Sequence, residues 1–412
     1  MGKRERVVTQ GKRERTLKLK KLRVRRRNVL LLAVGMFIAN AAFGMAYPYL
    51  GVYMRDIGAT MFMVGLMSVV FNATSTVFQY PFGYLSDKTM DRKSFISFGV
   101  LSTGLIYGGV ALVSTPMAVL GLRTLQGVLG SAMTPAHSAI IAELSTKVGS
   151  GYGLFNSIEN AGFMVGNFMG SAIVERLGIK SVFLVAMGML ITSAVIVMFI
   201  QERKRVRFSI QRPMVVREGR ASLLARMKGS AFFRLMRGNL GVFYVTVLLV
   251  MIASGQFYSV APVYFGETFG KAWVGIILGV ESLAAALTGY FIGKLIDRHG
   301  AKLFYMVAIA GYCVAFLLYA LIRSPIFILG VAFLSGVKWV MTLNSSSAYV
   351  AERLRHDERA QGMGLLNTMM SLGWVVGPLL GGYLSGISFE LNFMSTLVPL
   401  GLALLLTVRL PG

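Results

Sequence analysis

Twelve stretches of about 20 or more mostly apolar residues divide this chain, and nothing else limits its fold as strongly. They run at 28–53, 59–85, 94–114, 117–142, 150–175 and 181–200, then at 240–265, 272–293, 303–322, 325–350, 361–385 and 391–408. A segment inside a bilayer must satisfy its own backbone hydrogen bonds, so each stretch predicts a transmembrane helix. The residue-by-residue alternation of a membrane β-barrel is absent. Thr115-Pro116 and Ser324-Pro325 fall where new helices begin, and proline suits a first turn. Composition agrees, with 55% hydrophobic and 14% charged residues in 412. A water-facing protein uses about 25% charged residues, so a soluble globule is excluded. The single cysteine, Cys313, supports no disulfide framework, and His137, His299 and His356 lie too far apart for metal-ligand spacing. No nucleophile–base pair or phosphate loop stands out, so a non-enzyme without metal or cofactor is expected.

The formal charge is +25, from 42 Lys and Arg against 17 Asp and Glu. Thirteen of the basic residues lie in 1–27 and eleven in 201–239. Counted by alternating sides, 35 fall on the side of the N-terminus and 5 on the other: Arg55, Arg176, Lys180, Lys271 and Arg323. Such an excess marks cytoplasmic segments, so both termini are expected inside. Residues 1–27 contain no aromatic side chain to stack on a base, which points to anionic lipid headgroups rather than nucleic acid. The first apolar stretch is too long for a cleavable signal. The expected organisation is a basic tail (1–27), a six-helix bundle (28–200), a basic connector (201–239) and a second six-helix bundle (240–412). In the connector, apolar Leu223, Leu224, Met227, Phe232, Phe233 and Leu235 alternate with basic residues, as in an interfacial helix or a solvated linker.

The two halves repeat. Gly65, Gly83, Leu85 and Asp87 recur 210 residues later as Gly275, Gly293, Leu295 and Asp297. Pro116, Gly127, Ala142 and Glu143 recur at 209, and Gly153, Asn156, Gly162, Gly166 and Gly170 recur at 211 as Gly364, Asn367, Gly373, Gly377 and Gly381. Six spans is an even number, so both copies have the same orientation. That is the parallel repeat of transporters whose halves rock about a central site. The predicted fold is an all-α membrane protein of twelve helices in two parallel six-helix repeats.

The loop after the second span reads Gly83-Tyr84-Leu85-Ser86-Asp87-Lys88, followed by Arg92-Lys93, and its repeat reads Gly293-Lys294-Leu295-Ile296-Asp297-Arg298-His299-Gly300. Both resemble the G-x-L-x-D-R/K signature of the major facilitator superfamily, and the resemblance covers 28–408. The first copy departs from it, with Met90 for the usual glycine and Asp91 for the usual base. The resemblance implies that Asp87 and Asp297, with Lys88, Arg92 and Arg298, latch inner helix ends in an outward-open state. Arg123-Thr124-Leu125-Gln126-Gly127 is similar to the R-x-x-Q-G element of the proton-coupled drug-efflux branch. Gly162, Gly166 and Gly170 resemble its antiporter element, with Asn167 replacing a proline. The intact form, Gly377-Pro378-Leu379-Leu380-Gly381-Gly382, stands in the eleventh span after Gly373.

Four ionisable residues lie deep in spans: Arg123, Glu159, Glu281 and Lys338. An intramembrane charge costs at least about 2.5 kcal/mol, so each must face a cavity or a partner. Arg123 shares a helix face with Gln126, while Glu159 has Asn156 a turn away and Asn160 beside it. Lys338 shares a stripe with Thr342 and Ser345, and Glu281 stands alone on an apolar span. Arg123 corresponds to Ala332 in the other half and Lys338 to Leu129, so these charges break the repeat, as ligand or ion handling would require. They would be structural if Arg123 paired with Glu159 and Glu281 with Lys338. Otherwise at least one glutamate carries a coupling proton, with Arg123 and Glu159 as a coupling region and Glu281 and Lys338 in the cavity wall. Tyr47, Tyr49, Tyr53, Tyr258 and Tyr264 are expected in an interfacial belt, and His137 as a packed helix residue.

The expected protein is a monomeric secondary transporter of a prokaryotic plasma membrane that exports an amphipathic, drug-like small molecule in exchange for protons. Transport of a sugar, organic anion or other metabolite is the other transport reading. A non-transporting membrane receptor or assembly factor is the reading from a different class.

Overall fold

The computed structural model describes residues 2–144, 148–202, 235–355 and 358–411, with side chains from Arg23 onward except at 148–152 and Ala360. The described chain is helical almost throughout, and all twelve expected spans are present. Span 1 is the end of a longer helix, Gly2–Asp56, so the basic tail runs into it without a break. Spans 2 and 3 are Met61–Thr89 and Arg92–Leu112. Span 4 consists of Pro116–Gly130 and Met133–Leu144, and spans 5 and 6 are Val148–Leu177 and Ile179–Met198. In the second half, span 7 comprises Gly238–Tyr258 and Ala261–Phe269, followed by spans 8 (Lys271–His299), 9 (Ala301–Leu321) and 10 (Pro325–Arg353). Span 11 is Arg359–Ser385, and span 12 comprises Phe389–Ser395 and Leu397–Val408. The breaks in spans 7 and 12 precede Pro262 and Pro399, which have no N–H to continue a helical ladder. Ten described helices are long and apolar enough to cross a membrane by length and composition. Span 4 falls short because it is broken at Ser131-Ala132, and span 5 carries Asn156, Glu159, Asn160 and Asn167. The apolar and basic face expected at 223–233 of the connector lies outside the described residues.

Each half packs in the same way. Span 1 lies against span 5 and span 7 against span 11, while spans 2 and 8 lie against spans 4 and 10. Glycine sets the closeness of the first two contacts. A Cβ at Gly166 would stand 1.9 Å from the Ala41 carbonyl oxygen, and one at Gly377 would stand 2.4 Å from that of Ile252. Large apolar side chains such as Leu112, Ile326 and Val398 point outward, as a lipid-facing surface requires.

The halves meet through span 2 with span 11 and span 5 with span 8. The hydrogen bonds and ion pairs that join them at Arg55, Asp56, Tyr49, Asn72 and Asn167 lie between the bundle's middle and the face away from the chain termini. On that face Arg55 pairs with Glu267 at 3.1 Å and Lys271 with Asp56 at 2.5 Å. Deeper, the Gly275 N–H donates to the Tyr49 hydroxyl at 3.2 Å, Asn167 Nδ2 to Ser282 Oγ at 3.3 Å, and Asn72 Nδ2 to the Trp374 carbonyl at 3.3 Å. Toward the termini the facing helices separate and leave Tyr80 and Tyr290 exposed. The bundle is closed on one face and parted on the other.

The expected tyrosine belt is corrected by this packing. Tyr49, Tyr53 and Tyr264 are buried, and their hydroxyls bond inside the bundle, Tyr53 to the Val113 carbonyl at 2.5 Å and Tyr264 to that of Tyr319 at 2.9 Å. Facing the other helices gives the rings apolar contact and the hydroxyls a partner, which an outward-facing ring would have to seek at the headgroups.

Candidate functional site: a central cavity between the halves

At mid-bundle a cavity of about 330 Å³ lies between the halves. Its wall is mainly aromatic and apolar, with Tyr47 and Phe163 from the first half and Tyr258, Trp339 and Trp374 from the second. Asn160, Asn167, Glu281 and Ser282 supply the polar atoms. Mostly apolar walls with few polar anchors are typical of small-molecule sites.

Glu281 and Lys338 meet here through a third residue. The Tyr258 hydroxyl donates to Glu281 Oε1 and accepts from Lys338 Nζ at 3.1 Å. No direct ion pair joins the two charges, so the pairing considered from sequence is replaced by a relay through tyrosine. Lys338 is 1% exposed and lies 3.8 Å from the ring centroid of Tyr312 and 4.9 Å from that of Phe316. Aromatic faces stabilise a desolvated ammonium. Glu281 Oε2 is enclosed without a hydrogen-bond partner. Thr342 is buried below Lys338 and bonds back to its carbonyl at 2.8 Å, a bond within the helix.

Arg123 and Glu159 do not pair, and the single coupling region expected of them is two separate places. Glu159 Oε1 lies 3.2 Å from His137 Nε2, and the His137 ring meets Phe155 edge to face. His137 stands fourteen positions after Arg123 in span 4, which is about 20 Å of helix rise and places them at different depths. Arg123 Nη1 instead donates to Gln126 Oε1 at 2.5 Å, and its guanidinium carbon stands 4.1 Å from the Phe71 ring centroid. Asn156 and Asn160 are both exposed, and Asn160 alone of the two borders the cavity.

At the terminal-side loops, Asp87 binds Arg92 at 2.6 Å, and Arg92 also lies 3.7 Å from Glu143. All three belong to the first half. Lys88, Asp297 and Arg298 are exposed, as befits a parted face. Gly83 packs toward Pro135, where a Cβ would stand 3.3 Å from its side chain, and a Cβ at Gly293 would meet nothing within 4 Å. Asp91 caps span 3 by accepting from Ser94 N at 3.3 Å. Of the packing glycines, Gly162, Gly166 and Gly170 of span 5 face span 1, while Gly373, Gly377 and Gly381 of span 11 face span 7. Pro378 sets its carbonyl against Gly65 of the other half.

Sequence reasoning passed over Tyr312, Trp339 and Trp374, and it read Tyr47 and Tyr258 as belt residues, whereas both stand in the cavity wall. One signal was present: Tyr47 and Tyr258, both in the cavity wall, stand 211 residues apart, at the offset of the repeat.

Two parallel six-helix bundles around a central cavity define a secondary-transporter architecture. The family model of the Major Facilitator Superfamily matches residues 32–274 and 244–411, and the chain belongs to that family. An uncharacterized MFS-type transporter of Methanocaldococcus jannaschii is 26% identical over 88% of this chain and 92% of that protein. The multidrug resistance protein MdtG of Escherichia coli is 24% identical over 90% and 91%. Among solved structures, the nucleoside transporter NupG superposes with TM-score 0.73 at 14% identity, covering 92% of this chain and 97% of that one. A bacterial homolog of the human lysosomal transporter Spinster, in an inward-facing and occupied conformation, gives TM-score 0.71 at 13% identity, covering 94% and 96%. The chain is a multi-pass membrane transporter of MFS type.

Proposed function

We propose that this transporter exports amphipathic, drug-like compounds in exchange for protons, as a monomer in the plasma membrane of a prokaryote. The observation that carries the reading is the Glu281–Tyr258–Lys338 relay in an aromatic cavity wall. A carboxylate that gains a proton beside a fixed cation leaves that cation unbalanced, which a dry site normally resists. The rings around Lys338 support the cation in either state, so Glu281 can load and release a proton without expelling its neighbour. Substrate entering against Trp339 and Trp374 lies beside the same carboxylate, and competition between proton and substrate there yields exchange.

The basic excess supports a cytoplasmic parted face, and in this reading the present conformation takes up substrate from inside. Likeness to MdtG, a multidrug resistance protein, supports the substrate class. Glu159 with His137 stands along the opened side of the first half and serves as the cytoplasmic proton exit in this reading. The test is efflux of a fluorescent dye from proteoliposomes under an imposed pH gradient. Glu281→Gln is expected to lower gradient-driven flux at least about tenfold while dye still binds, and Glu159→Gln to lower it less. Full coupled flux in both variants removes the proposal.

A further inference from the structure

Among the described residues, the first half holds a cation that lacks an anion. Arg123 is 1% exposed, yet its Nε and Nη2 have no hydrogen-bond partner, and only Nη1 is engaged, by neutral Gln126. No described carboxylate forms an ion pair with it. Its guanidinium carbon lies between Phe71, at 4.1 Å, and Tyr47, at 5.8 Å from the ring centroid.

The internal repeat shows what is missing. Tyr47 recurs 211 residues later as Tyr258, and Phe71 recurs 210 residues later as Glu281. In the second half a buried cation, Lys338, sits behind Tyr258 and has Glu281 as its carboxylate. In the first half a buried cation, Arg123, sits behind Tyr47 and has a phenyl ring where that carboxylate would stand. Both tyrosines line one cavity. The faces of Phe71 and Tyr47 offset part of the cost of burying the charge, but two empty donors remain, and each is unfavourable without a partner. A planar fork of free N–H groups matches a carboxylate, sulfonate or phosphonate bidentately.

We propose, resting on the export reading above, that the substrate is an amphipathic organic anion. Its acidic group completes the charge pair at Arg123 once the Tyr47 ring swings aside, and its apolar body lies on Trp339 and Trp374. The substrate supplies in one half what Glu281 supplies in the other.

The experiment uses the full chain in liposomes and a probe pair matched in size and opposite in charge, 2-naphthoate and 2-naphthylmethylammonium. Binding is read by quenching of the tryptophan emission that Trp339 and Trp374 contribute from the cavity wall. Wild type is expected to bind naphthoate at least about tenfold more tightly than the ammonium probe, the scale of a charged hydrogen-bonded contact. Arg123→Gln should abolish that preference. Phe71→Glu guards against a folding artefact: it gives Arg123 an internal partner, should keep the apparent Tm, and should remove naphthoate binding while sparing the ammonium probe. Equal affinity for the two probes, binding of neither, or naphthoate binding unchanged in both variants overturns the proposal. Exclusion of naphthoate with pH-driven export of the ammonium probe overturns the anion assignment and leaves the export reading standing. Arg123-dependent naphthoate binding with no pH-driven flux of any probe does the reverse.

Discussion

Lys338 shows how much at the residue scale depends on neighbours from other helices. Its ammonium is held by Tyr258 of span 7 and by the rings of Tyr312 and Phe316 of span 9, with Glu281 of span 8 beyond the tyrosine. Lys338→Met deletes the cation and leaves a buried carboxylate to bear its own desolvation, a loss of about 3 kcal/mol when one member of a buried pair is removed. Adding Glu281→Gln deletes that stranded charge. Apparent Tm by thermal unfolding is therefore expected to fall in Lys338→Met and to recover substantially in the double variant; equal Tm values would disprove the linkage through Tyr258. The sequence picked out all four intramembrane charges because a charge in an apolar run is conspicuous. It did not reveal their aromatic partners, since such residues in a chain with 11% Phe, Trp and Tyr carry no such contrast.

Elements show the effect of local departures from the family pattern. Met90 ends span 2 at φ 56 and ψ 28, and it is the one non-glycine residue with positive φ among those described. Its repeat counterpart, Gly300, also has positive φ, 92, at the end of span 8. A side chain in the left-handed region costs roughly 1 kcal/mol, so Met90→Gly is expected to raise the apparent Tm by a few degrees; no change or a fall would show that the loop relaxes the strain. Asn167, where a proline was expected, has a comparable explanation. Its amide donates across the seam to Ser282, a bond that proline has no side-chain donor to make. Helix limits were legible because prolines and charges punctuate the apolar runs. The break at Ser131 was not, because neither Ser131 nor Ala132 forbids a helix by itself.

Over the whole molecule, the question is which face is open. The two ion pairs on the closed face, Arg55–Glu267 and Lys271–Asp56, join opposite halves and are partly exposed, so each contributes about 0.5 kcal/mol. Asp56→Asn combined with Glu267→Gln is expected to shift the balance between open and closed faces by roughly fivefold, since 1 kcal/mol changes a population ratio by that amount. Spin labels at Leu177 and Thr268, exposed on opposite halves of that face, would report it as a growing population at longer separation, and an unchanged distance distribution would mean that the deeper contacts alone hold the face shut. By itself the sequence determined the twelve helices, the doubled architecture, the expected sidedness and the four charges within the spans, because the bilayer imposes length, polarity and charge rules that act on each segment independently of the others. Tertiary structure alone decided that Glu159 meets His137, that Glu281 and Lys338 share Tyr258, that Arg123 has no counter-ion among the described residues and that one face is closed. Those facts depend on helices far apart in the chain being brought within a few ångströms, and no local rule contains that distance.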